Sequence, residues 1–220
     1  MATAPAPYWP IVYVRGYAMT PAEIADAVSS PYMGFNVGAT KLRQAWDGQV
    51  RRHVFESPLV RLMKDCGYRD IYTDGTEIVG PVPARSVVIY RYYDSADPDL
   101  GAGKAPSIVA AAEGLRDLVH RLRVQVCGDD AEALAGFKVH LVAHSMGGLV
   151  CRCFLQNDAV STPADRALVD KVFTYATPHH GIEMAGLNVP ALLGLWDLTN
   201  FNRSVMSDYL VLAAGSARVD

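Results

Sequence analysis

The chain has 220 residues, half of them hydrophobic and a fifth charged, which suits one globular core. Its formal net charge is −3 and no basic block stands out, so nucleic-acid binding has no electrostatic support. No segment reaches the roughly 18 consecutive apolar residues of a membrane span. The first ten residues, MATAPAPYWP, lack the charged and apolar regions of a signal peptide, so a cytoplasmic location is expected.

In chain order, PIVYVRGY (Pro10 to Tyr17) predicts a buried strand ending in an Arg-Gly turn. TPAEIADAV predicts a helix with Thr20 as N-cap, Pro21 at the first helical position and Glu23 completing a capping box. Ser29 to Gly48 is glycine-rich and reads as an irregular surface loop. SPLVRLMKDCGY predicts a helix capped by Ser57 and stopped by Gly67. ARSVVIYRYYD (Ala84 to Asp94) predicts a second strand, followed by the loop DSADPDLGAGKAP.

Ile108 to Val126 predicts a helix. Leu115, Leu118, Val119, Leu122 and Val126 form one apolar stripe on it, and Gly128 with two aspartates ends it. FKVHLVA predicts a third strand, GGLVCRCFLQN another long helix, and DKVFTYATP (Asp170 to Pro178) a fourth strand. Strands alternating with helices imply an α/β fold: a mostly parallel central sheet with helices on both faces, in a single domain over 1–220. Cys66, Cys127, Cys151 and Cys153 read as free thiols. No Cys/His cluster has ligand spacing, so no metal is expected, and no cofactor is implied.

KVHLVAHSMGGLV (Lys138 to Val150) passes from an apolar strand through Ser145 into a glycine-opened helix. A tight strand-to-helix turn needs small neighbours, and Ala143 and Gly147 flank the serine two positions away on either side. A serine there projects its Oγ from the carboxyl end of the sheet, where open α/β sheets bind ligands. The next N–H, that of Met146, then faces negative charge at a helix N-terminus. Serine is also a common helix N-cap, so a plain capping role stands beside the nucleophile reading. His144 is adjacent in sequence on a sharp turn, points elsewhere, and reads as a packed or hydrogen-bonded histidine beside the elbow.

LVAHSMGGLV resembles the nucleophile elbow of α/β-hydrolase lipases and esterases, including forms with alanine in the first small position. VYVRGYAMT resembles their oxyanion loop, and VFTYATPHHG the TPHxG segment of lipases similar to inositol deacylases acting on glycolipid anchors. The resemblance covers Pro10 to Gly181. It implies a hydrolase of carboxylic, lipid-like esters, with Ser145 as nucleophile and the backbone N–H groups of Met146 and Tyr17 as the oxyanion hole. Arg15 stands where the family usually has histidine; a plain strand-end arginine paired with a carboxylate is the other reading of it.

In that family the acid and then the histidine follow the serine. After Ser145 the only histidines are His179 and His180, placed too early for the base and read as structural. His120 reads as solvent-facing, and His53 and His140 receive no role. Glu183, Asp197, Asp208 and Asp220 remain as acids, and none follows an evident late strand. The expectation is a truncated α/β-hydrolase whose acid and base lie beyond Asp220; a non-catalytic binding protein and an acyltransferase using the same serine are the alternatives. Residues 181–212 are expected to form a lid over the acyl site or a helical pair packed on the core. The expected partner is a small-molecule or lipid ester, with no nucleic acid.

Overall fold

A computed structural model describes residues 8–16, 39–44, 47–55, 58–71, 80–181, 183–184, 187–188 and 201–211. Its centre is a five-stranded, all-parallel sheet. The strands are β1 (Ile11–Val14), β4 (Arg69–Ile71), β5 (Ser86–Tyr90), β6 (Val139–His144) and β7 (Val169–Tyr175), ordered β4-β5-β1-β6-β7. Two small antiparallel pairs stand apart: β2 (Ala39–Gln44) with β3 (Val50–Phe55), and β8 (Glu183–Met184) with β9 (Leu187–Asn188).

The middle strand shows why the sheet is covered twice. Val12 and Val14 enter one core, and Ile11 and Tyr13 the other, because successive side chains leave a strand on opposite faces. The first core is the larger. Helix α2 (Ile108–Cys127) brings Ile108, Ala111, Leu115, Val119 and Leu122 to it, and α4 (Met146–Gln156) brings Leu149, Val150 and Phe154. The second is smaller and is closed by Leu59 of α1 (Pro58–Cys66) and by Tyr68. Each fully buried aliphatic side chain contributes about 2 kcal/mol, so the larger core carries most of the hydrophobic stabilisation.

The apolar stripe on α2 is buried at Leu115, Val119 and Leu122, with Leu118 and Val126 partly buried against the same core. Ser107 caps the helix by accepting from the Ala110 N–H, and Gly128 ends it at φ 56°. Asp130 goes further than ending a helix: its side chain accepts from the Glu132 and Ala133 N–H groups and starts α3 (Ala131–Gly136). Gly67 stops α1 at φ 68°. Ser57 and the expected helix after Thr20 lie outside the described residues.

Two expectations change. The stretch Ser29–Gly48, read as irregular, contains β2, whose backbone groups are satisfied by pairing with β3. The strand expected over Ala84–Asp94 ends at Tyr90, and Tyr92–Ala96 is a 3-10 turn that buries Tyr92 and Tyr93. Of the segment 181–212, β8, β9 and α6 (Arg203–Leu210) are described, and α6 buries Met206, Tyr209 and Leu210 in the larger core. Among the described residues no helix is long and apolar enough to cross a membrane, and all four cysteines are free thiols.

Candidate active site

Ser145 joins β6 to α4 with φ 52° and ψ −127°. That conformation suits glycine and costs a side-chain-bearing residue about 1–3 kcal/mol. Its backbone is pinned on both sides: the N–H donates to the Tyr175 carbonyl at 3.0 Å, and its carbonyl accepts from Gly148 N–H at 3.0 Å. Although Ser145 occupies the N-cap position, its side chain makes no capping hydrogen bond. The hydroxyl is therefore not spent on the helix terminus, and the plain N-cap reading fails.

The turn is crowded on three sides, and each side is a glycine. A Cβ on Gly16, just past β1, would stand 2.6 Å from the Ser145 Cβ and 3.2 Å from its Oγ. One on Gly147 would run into the Val14 and Arg15 carbonyls, and one on Gly148 into the Thr177 side chain. Gly147 of the motif is thus demanded by close backbone approach, and the Arg-Gly turn after β1 lies directly against the serine. Tyr17, the expected second oxyanion donor, lies outside the described residues.

Met146 is buried and opens the 11-residue helix α4. Its N–H belongs to the first turn, where no intrahelical acceptor exists, and the helix dipole favours negative charge there. Next to this corner Arg15 is 2% exposed. Its guanidinium carbon lies 5.5 Å from the Tyr93 ring centre, and its carbonyl accepts from the Tyr92 hydroxyl at 2.8 Å.

His144 behaves as a packed residue. Its ring lies 4.9 Å from that of Tyr175 at an interplanar angle of 33°. Burial, and then the Arg15 charge, hold its pKa below the ordinary histidine range. Among the described residues its Nδ1 is buried without a hydrogen-bond partner. Tyr175 in turn pairs its hydroxyl with that of Tyr13 at 2.7 Å.

The remaining histidines sit in other settings. His179 Nε2 bonds Thr174 Oγ1 at 3.0 Å, and its carbonyl accepts from Arg152 of α4 at 3.1 Å. The His180 carbonyl accepts from Arg203 of α6 at 3.1 Å. These bonds tie the TPHHG segment to both helices, which is a structural role. His120 is exposed, as expected, and its Nε2 meets Asp165 Oδ1 at 2.7 Å. Asp165 also accepts from the Thr162 N–H and hydroxyl at the start of helix α5 (Pro163–Arg166). His140 Nδ1 lies 3.4 Å from Asp170. His53 stands opposite Lys41 in the β2–β3 pair. Among the described residues, no histidine is hydrogen-bonded to Ser145 Oγ.

Of the acids, Glu183 stands opposite Asn188 in the β8–β9 pair, and Asp208 is an exposed residue of α6. Asp208 lines a cleft of about 350 Å³ with Ser107, Asn157 and Tyr209. Asp197 and Asp220 lie outside the described residues. Two buried polar atoms near the elbow gave no sequence signal: Tyr93 Oη and Thr177 Oγ1 have no hydrogen-bond partner among the described residues. Both read in sequence as ordinary core or turn residues. No protein-family model matches this chain, and no curated protein matches it.

Proposed function

We propose that the protein is a serine hydrolase of carboxylic esters, an α/β-hydrolase of lipase or esterase type acting on lipid-like esters. The observation that carries the reading is the Ser145 corner, where the serine holds a positive φ while its hydroxyl caps nothing. Strain of that kind persists where the surroundings over-determine it, and it clusters at catalytic positions.

Ser145 Oγ attacks the acyl carbon, and the carbonyl oxygen becomes an oxyanion facing the Met146 and Tyr17 N–H groups. Collapse expels the alcohol and leaves an acyl-enzyme on Ser145, which water hydrolyses. Each oxyanion donor contributes about 3–4 kcal/mol to the transition state. The serine proton needs a base and the base an orienting acid. Neither is assigned to a described residue.

The test is covalent labelling with a tagged fluorophosphonate, comparing the protein with Ser145→Ala. The reading expects labelling of the first and none of the second. Equal labelling of both removes it. One observation favours a non-catalytic binding protein instead: Ser145 Oγ has no histidine partner among the described residues. That alternative expects no labelling of either protein. Supplying an acceptor alcohol during turnover separates hydrolysis from acyl transfer, which uses the same serine.

A further inference from the structure

Among the described residues, three that are not glycine hold a positive φ: Ser145, Ala176 and Val211. The first two are neighbours across the sheet. His144 and Tyr175 form the last paired rung of β6 and β7, and Ser145 and Ala176 are the next residue of each chain. Two adjacent strands thus end at one level, each through a conformation that is unfavourable for any residue with a side chain. Ala176 is exposed, so burial of its own methyl does not offset the strain. Its neighbours hold it instead.

Before Ala176, the Tyr175 carbonyl accepts from the Ser145 N–H at 3.0 Å. After it, the Thr177 side chain packs on Gly148, where a Cβ would meet the Thr177 Oγ1 at 2.1 Å. The chain beyond is held as well. The Thr177 carbonyl accepts from the His179 N–H at 2.9 Å, the Pro178 carbonyl from the Gly181 N–H at 3.0 Å, and the His179 carbonyl from Arg152 of α4 at 3.1 Å. The φ of Ala176 is the torsion between these two sets of contacts. Turned to a negative value with the later chain held, it swings the Tyr175 carbonyl off the Ser145 N–H. Turned with the carbonyl held, it swings Thr177 off Gly148. Either way the elbow loses a restraint from the β7 side.

We propose that Ala176 is a positioning residue for Ser145: its positive φ lets the exit of β7 grip the elbow at the Ser145 N–H and at Gly148 together. The inference rests on the reading of Ser145 as a nucleophile. The bond at the Ser145 N–H fixes the peptide before the serine. The contact at Gly148 fixes the first turn of α4, which carries the Met146 N–H. The attacking oxygen and the oxyanion donor are therefore aligned by a residue outside the site, and small misplacements of reacting groups slow a reaction steeply.

The experiment measures the rate of labelling by a tagged fluorophosphonate over a range of concentrations, with the urea midpoint of each protein taken alongside. Ala176→Asn and Ala176→Val add side chains of similar size at an exposed position, but asparagine tolerates a positive φ and valine resists it. Ala176→Asn is expected to label as the unaltered protein does. Ala176→Val is expected to lower the maximal rate about fivefold. Ala176→Pro, which fixes φ near about −65°, is expected to lower it roughly 100-fold. The half-saturating concentration is expected to stay the same in all of them. Equal maximal rates for Ala176→Asn and Ala176→Val overturn the proposal, and that pair decides it even where Ala176→Pro fails to fold. A shift in the urea midpoint with unchanged rates also overturns it, in favour of a structural role alone. If the unaltered protein does not label, the hydrolase reading falls and this inference with it; if it labels and the two variants match, the inference falls by itself.

Discussion

At the elbow, Gly16, Gly147 and Gly148 let backbone from β1 and side chain from Thr177 close on a strained serine. At the β2–β3 ribbon, two short strands pair with each other in a two-stranded sheet apart from the main one. The elbow stores its cost inside a packed core that cannot relax. The ribbon is a two-stranded pair, an arrangement that by itself is marginal in water. The elbow therefore answers to added volume, and the ribbon to changes in its strand pairing.

The largest expected effect tests the crowding. Gly147→Ala forces a methyl into the Val14 and Arg15 carbonyls, backbone groups at and just past the end of β1 that cannot swing away as a side chain would. A loss of about 3 kcal/mol in denaturant-induced unfolding is expected. Gly136→Ala is the contrast: at the end of α3 nothing lies near an added Cβ, so the change is expected to be neutral or stabilising by about 0.5 kcal/mol. Equal effects at both glycines would break the comparison.

A smaller effect of opposite sign comes from Ser145→Gly. Glycine adopts the observed positive φ without penalty, and its extra freedom in the unfolded chain offsets part of that relief. A net gain of about 1 kcal/mol is expected, together with loss of fluorophosphonate labelling. Stability that falls instead would mean that the hydroxyl holds the fold.

The smallest effect is electrostatic and lies at the elbow. The folded His144 pKa is held below its unfolded value, first by burial and then by Arg15. The unfolded chain therefore binds the extra proton first, and His144 lowers stability as pH falls through about 6.5 toward the folded pKa. Above that window its contribution is unaffected by pH. In His144→Gln, stability measured across this range is expected to decline less steeply as pH falls, and an unchanged slope would clear His144 of the effect.

The elbow was legible because its information is local. A buried strand, a serine and a glycine-opened helix stand in consecutive residues, and β6 and α4 follow them closely. The apposition of Gly16 to Ser145 was not visible, since those residues are far apart in the chain and meet through the β1–β6 register. β2 was hidden for a related reason. Its sequence is polar and follows a glycine-rich stretch, and only pairing with β3 makes it a strand. The 3-10 turn at Tyr92–Ala96 was masked by aromatic residues that suit a strand equally well. The His120–Asp165 bond joins residues 45 apart, beyond any helical or strand period.

Cys151 and Cys153 are both fully buried within α4, a few residues past the elbow's glycines. Burial pushes the first thiol up to about 12 and the second to about 11, so neither forms a thiolate near neutrality. The protein thus contains an internal clock. An alkylating reagent reaches these sulfurs when α4 departs from the sheet, and the pace of their modification in native buffer times how often the corner that holds Ser145 comes apart.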